Sequence, residues 1–130
     1  VKSSNSQPAD GPTRELFTDG KLSAEGLLWE GKRHGDWKFY YRNGNLKAEG
    51  SYEGGKLHGP WKWWRENGQL LQVGSFIHEK QDGLWQRYHE NGQLWDQGSY
   101  QAGKKVGEWV TYHSNGDLKQ TKNFSSKKSS

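Results

Sequence analysis

The stretch Trp61–Leu84, WKWWRENGQLLQVGSFIHEKQDGL, decides the fold, because the same skeleton returns every 24 residues on either side of it. Asn-Gly stands at Asn43-Gly44, Asn67-Gly68, Asn91-Gly92 and Asn115-Gly116, with Asp19-Gly20 one step earlier. Gly-x-Trp ends in Trp37, Trp61, Trp85 and Trp109. Leu22, Leu46, Leu70, Leu94 and Leu118 form a third column, and Gly26, Gly50, Gly74 and Gly98 a fourth. A chain that keeps step in this way is a repeat array, in which each unit buries its apolar side by stacking on its neighbours.

Each unit holds two candidate strands. Asn-Gly between aromatic and aliphatic residues signals a tight hairpin, since both central positions of a type I′ turn need φ above zero. The second link, for example Glu53-Gly54-Gly55-Lys56-Leu57-His58-Gly59, reads as a longer, glycine-bearing hairpin turn. A two-residue Asn-Gly loop sets Arg14 opposite Glu25, Lys38 opposite Glu49, Arg87 opposite Asp96, Gln86 opposite Gln97 and Val110 opposite Thr121, so complementary residues face each other. It also sets Trp64 against Leu71, Tyr88 against Trp95 and Tyr40 against Lys47. A three-residue loop with a glycine bulge is the competitor. It brings Tyr40 opposite Leu46 but dissolves the charge pairs, and the two-residue register is preferred for that reason.

In that register Trp37, Leu46, Gly50 and Tyr52 share a face, with the Trp37 indole over Gly50, where any side chain would strike the ring. The reverse face carries Tyr40, Trp64, Tyr88 and Tyr112 among Lys, Gln and Ser. The expected fold is all-β: an elongated, open, single-layer antiparallel β-meander of tandem hairpin repeats, about five units and about ten strands. It spans residues 13–124 between flexible tails at 1–12 and 125–130. The first unit is degenerate, with Thr13 in the Trp column, and Lys119 and Lys122 on the last strand read either as protection of an exposed edge or as ordinary solvated residues.

Composition agrees with a thin sheet. Mean hydropathy is −1.23 and only 29% of the 130 residues are hydrophobic, too little for a thick two-layer core. The apolar material is aromatic, eight Trp, six Tyr and four Phe, and such side chains bury the most area each. The net charge of +4, from 19 basic against 15 acidic residues mixed along the chain, steers mildly toward anions and is not a nucleic-acid footprint. Without cysteine there is no disulfide, thiolate nucleophile or Cys-rich zinc site. No apolar run reaches membrane-spanning length. The start at Val1 reads as the removal of a leader or as a trimmed chain, and the polar tail behind it as the spacer after a cleaved secretion or lipoprotein signal. That points to the periplasm or cell envelope of a bacterium, with the cytoplasm as the alternative.

The succession Gly-x-Trp, aromatic, Asn-Gly-x-Leu, Gly-x-Tyr and Gly-Lys-x-x-Gly resembles the MORN repeat in its bacterial variant form, whose members are often labelled antitoxins of toxin-antitoxin systems. The resemblance covers about residues 13–124. Glu79, Val106 and Thr13 depart from the pattern. It implies an elongated, twisted single-layer sheet acting in protein interaction, dimerisation or phospholipid association. None of the repeat residues is catalytic in the family, so it implies no active site.

Candidate chemistry is weighed on the same columns. His34 and His58 share one repeat position and His89 and His113 another. Equivalent positions two strands apart are about 9.5 Å distant, too far to share a metal that each ligand must approach to about 2 Å, so no metal or other cofactor is expected. The carboxylates Glu25, Glu49 and Asp96 face basic residues, and no P-loop, Gly-x-Ser-x-Gly or thiol is present, so an enzyme is not expected. Lys32, Lys56, Lys80 and Lys104 form a row along one rim that suits an anionic membrane or an acidic protein, unless they are simply turn lysines. Trp64, Leu71, Tyr88 and Trp95 are the candidate partner-binding patch, for another protein or a second copy, unless they pack as core. Carbohydrate or peptidoglycan binding on aromatic rows is the runner-up. Nucleic acid ranks last, because acidic residues interrupt every unit.

Overall fold

The computed structural model describes residues 10–124. Ten strands follow one another: β1 (Gly11–Leu16), β2 (Leu22–Trp29), β3 (Lys32–Tyr40), β4 (Leu46–Glu53), β5 (Lys56–Trp64), β6 (Leu70–Ile77), β7 (Lys80–Tyr88), β8 (Leu94–Gln101), β9 (Lys104–Tyr112) and β10 (Leu118–Phe124). They pair antiparallel in chain order in one open sheet, the meander expected from the repeats, with β1 and β10 at its edges. Of the expected tails, residues 1–9 and 125–130 lie outside the described residues. Gly11 and Pro12, assigned to the N-terminal tail, begin β1.

The two turn types are the reverse of the expectation. At Asn43-Gly44, Gly44 N–H donates to Tyr41 O and Tyr41 N–H to Asn45 O, each at 2.9 Å. Gly44 alone is left-handed there, at φ +92°. This is the three-residue loop with a glycine bulge. The Asn column is required for its side chain: Oδ1 of Asn43 accepts from Asn45 N–H at 2.8 Å, and Asn67, Asn91 and Asn115 do the same two residues on. Asp19 makes the same bond to Lys21 N–H, which explains why it can stand in the column. The strict two-residue turn is instead the second link, where Glu30-Gly31, Gly54-Gly55, His78-Glu79 and Ala102-Gly103 all have positive φ, as type I′ demands.

Loop and charge pairs coexist because a second irregularity restores the register. Tyr40 faces Leu46, Lys47 is passed over, and Phe39 then faces Ala48 and Lys38 faces Glu49. The expected pairs Arg14–Glu25, Arg87–Asp96, Gln86–Gln97 and Val110–Thr121 therefore form. The pairs Trp64–Leu71, Tyr88–Trp95 and Tyr40–Lys47 do not, because Leu71, Trp95 and Lys47 are the bulged residues and the partners are Leu70, Leu94 and Leu46. Leu46 thereby moves to the face of Tyr40, off the face of Trp37.

A further break falls at each Gly-x-Trp. Gly26 faces Trp37 but Leu27 faces His34, so Gly35, at φ +67°, and Asp36 are in excess on β3. The indole spans the interruption: Trp37 Nε1–H donates to Leu27 O at 2.8 Å, and Trp61, Trp85 and Trp109 donate to Ser51, Ser75 and Ser99 O at 3.0, 3.1 and 3.0 Å. Each ring lies on the glycine of the preceding strand. A Cβ at Gly26, Gly50, Gly74 or Gly98 would stand 2.3, 2.1, 2.0 or 2.2 Å from the ring of Trp37, Trp61, Trp85 or Trp109. Trp37 is paired with Gly50 as expected, but the ring over Gly50 belongs to Trp61.

These four buried indoles are the core of a sheet on which no second layer packs among the described residues. Tyr52, Phe76 and Tyr100 meet Trp61, Trp85 and Trp109 edge-on at centroid distances of 5.3, 5.2 and 5.1 Å. Phe39 and Trp63 stack between successive indoles at 5.5 to 6.1 Å. Each such pair adds about 0.5–1.5 kcal/mol to the area that it buries.

Candidate functional site

Strand alternation and the bulges give the sheet two unlike faces. The Trp face holds the indoles, Phe39, Trp63, Tyr52 and the small floor residues Ala24 and Ala48. Between β1 and β5 it opens into a groove of about 470 Å³ lined by Ala24, Phe39, Ala48, Leu57, Trp61 and Trp63, with Glu15, Arg33 and Lys47 among its walls. Further along, the position of Phe39 is taken by Arg87 and that of Ala48 by Asp96, and the groove turns polar. Asp96, only 6% exposed, receives Arg87 Nε–H at 3.1 Å and Nη2–H at 2.7 Å. That hydrogen bond holds the guanidinium above its ordinary pKa, against the opposing effect of burial.

Electrostatics follow the faces. The carboxylates on the strands of the Trp face are Glu15 and Asp96, and both are in ion pairs with arginine, Glu15 with Arg33 at 2.9 Å. Lys47, Lys105, Lys119 and Lys122 stand on that face with no carboxylate within ion-pair distance among the described residues. Lys105 Nζ lies 4.5 Å from the Trp109 ring centre and Lys122 Nζ 5.3 Å from that of Phe124. On the reverse face the strand interiors carry Glu25, Asp36, Glu49, Asp82 and Glu108 against Arg14, Lys38 and Lys62. The mixture of charge along the chain thus hides a division between faces.

The four residues expected to form one partner patch do not share a face. Trp95 lies under Arg87, 3.9 Å from its guanidinium carbon, and stacks on His89 at 5.3 Å, both on the Trp face. Leu71 occupies the same bulged position one unit earlier. Tyr88 hydrogen-bonds Gln86 on the reverse face, and Trp64 holds the equivalent place. All four are half-buried. The apolar side chains that stand out on the reverse face are Leu27, Trp29, Ile77 and Leu84 in the interior strands and Leu16 and Leu118 on the edge strands. Lys32, Lys56, Lys80 and Lys104 each follow a type I′ turn and lie exposed along one rim.

His34 and His58 lie on the reverse face, His34 against the edge of Trp29. His89 Nε2 lies 2.9 Å from Tyr112 O, in the next unit. No three His, Cys, Asp or Glu side chains gather as a metal site would require among the described residues. Sequence reasoning missed the charge division, because the bulge moves Lys47 and Lys119, with Leu71 and Trp95, to the Trp face. Pro60 was the available signal for irregularity at Gly-x-Trp, since proline inside a strand belongs at a bulge or edge.

The model of a family described as the MORN repeat variant matches residues 33–53, 57–78, 81–102 and 105–125, the four full units of the array. No curated protein matches the chain.

Proposed function

The chain belongs to the MORN repeat variant family, and from that premise we propose that this non-catalytic interaction module meets its partner on the Trp face. The observation that carries this reading is the groove floored by Ala24 and Ala48 and walled by Phe39 and Trp63. Its floor is apolar, its walls mix aromatic rings with Glu15, Arg33 and Lys47, and it lies open along the sheet, the form that accepts a polypeptide segment. An immunity-type role, in which the module masks a toxin, uses this face directly. An envelope role would rest instead on the rim of Lys32, Lys56, Lys80 and Lys104. Glycan stacking is less well supported, because Trp37, Phe39, Trp61, Trp63 and Trp85 are engaged with one another along a ladder.

A photo-reactive amino acid placed at position 39 or 63 should cross-link the partner in the source cells, whereas one at 38 or 62 on the reverse face should not. Cross-links from the reverse positions alone would transfer the contact surface to the other face.

A further inference from the structure

The uneven charge of the two faces says what kind of segment the groove takes, and the inference rests on the reading that the Trp face is the contact surface. We infer that the occupant is an acidic polypeptide segment with apolar side chains at one end. The apolar part of the groove lies around Phe39 and Ala48, on β3 and β4. The unpaired lysines Lys105 and Lys122 lie on β9 and β10, each over an aromatic ring. Glu15 and Asp96 are already neutralised by Arg33 and Arg87, so this face offers uncompensated cations and no free carboxylate among the described residues.

From β4 to β9 is five strand spacings, about 24 Å, which an extended chain crosses in about seven residues. An apolar side chain seated over Ala48 therefore leaves carboxylates about seven positions away beside Lys105 and Lys122. The ion pairs form next to aromatic surface, where opposite charges attract more strongly than in open water. The mixed charge of the reverse face provides no such bias.

The test uses the full chain and a fluorescently labelled glutamate–phenylalanine random copolymer, followed by anisotropy. Binding should weaken at least tenfold in Lys105→Glu/Lys122→Glu, and as salt is raised. It should change less than twofold in Lys62→Glu/Lys80→Glu, which alters net charge equally on the reverse face and rim. Circular dichroism confirms that both variants fold, and Lys105→Gln/Lys122→Gln, which adds no repulsion, should give an intermediate loss. Absence of copolymer binding at low salt, or equal loss in both charge-reversed variants, overturns the inference. So does tighter binding of heparin or phosphatidylglycerol vesicles than of the copolymer. Cross-linking from position 39 or 63 together with failure of the copolymer would leave the contact face standing and remove only its proposed chemistry.

Discussion

Replacing Gly74 by alanine isolates the interaction on which the array depends. Gly74 does not adopt a left-handed φ, so alanine suits the backbone and only the added methyl matters. Its Cβ would stand 2.0 Å from Trp85 Cδ2 and 2.2 Å from Cε2, and so the indole has to leave. Trp85 is 4% exposed and donates to Ser75 O. An aromatic side chain buries about 150–250 Å², which at about 25 cal/mol per Å² is roughly 4–6 kcal/mol as an upper bound. The lost hydrogen bond adds about 1 kcal/mol. Partial reburial of the displaced ring brings the expected cost of Gly74→Ala to about 3–5 kcal/mol, the range of truncating a buried Trp outright. In a Trp85→Ala background the obstacle is gone, and the same change should be neutral or stabilising by up to about 1 kcal/mol, since glycine weakens a strand. Urea unfolding followed by far-ultraviolet circular dichroism closes the cycle without relying on tryptophan emission. Equal cost in the two backgrounds would refute the claim that the glycine column exists to receive the rings.

Four further outcomes follow from the same geometry. Asp96→Ala alone should destabilise by about 1–3 kcal/mol by stripping a half-buried guanidinium of its partner, whereas Arg87→Phe/Asp96→Ala, which restores the pair found at Phe39 and Ala48, should be neutral or stabilising in urea unfolding. Glu79→Gly should stabilise by about 1 kcal/mol, because Glu79 holds φ +72° in a turn position that is glycine in the other units. Asn67→Ala should cost about 1 kcal/mol and Asn67→Asp much less, because only the second keeps an acceptor for Gln69 N–H. Burial and a 2.5 Å hydrogen bond to Glu25 push the Tyr40 phenol up from 10.0 to about 12. A group whose pKa is raised on folding contributes stability below its unfolded value and loses it toward its folded one. Stability should therefore fall between pH 10.0 and about 12, with a late phenolic absorbance step, and Tyr40→Phe should abolish both.

How much of this was legible in the sequence depends on whether a residue recurs by identity or only by task. The Trp, Gly, Asn and Leu columns recur by identity, and they gave the open meander and the pairing of Lys38 with Glu49. The turn types were misassigned because Asn-Gly fits two loops, and only backbone angles distinguish a type I′ turn from a glycine bulge. One more set stayed hidden altogether. Tyr41 Oη–H donates to Trp64 O at 2.7 Å, Arg65 Nη2–H to Tyr88 O at 2.9 Å, and His89 Nε2 meets Tyr112 O at 2.9 Å. Three side chains of different chemistry occupy one position and tie each turn to the next, and no search for identical residues finds them. The groove was missed for a related reason: its floor is alanine, which sequence patterning treats as neutral.

The Trp–Gly register is altered at the two edge strands. Inside the sheet every junction has a ring on the incoming strand and a bare glycine on the receiving one, and the amide of the next type I′ turn reaches back to the previous unit, as Gly55 N–H does to Arg33 O and Gly103 N–H to Gln81 O. At the first edge both parts are altered. Thr13 stands where the ring would be, and the Asp10 carboxylate accepts from Glu30 and Gly31 N–H at 2.9 and 3.2 Å, taking the turn amides that interior units give to backbone carbonyls. At the last edge Lys122 occupies the glycine position opposite Trp109. A ring arriving on β10 would meet its side chain, where four interior strands offer none, and would leave a cation beneath it. Coupling inside the sheet and its interruption at β1 and β10 are thus two settings of one device.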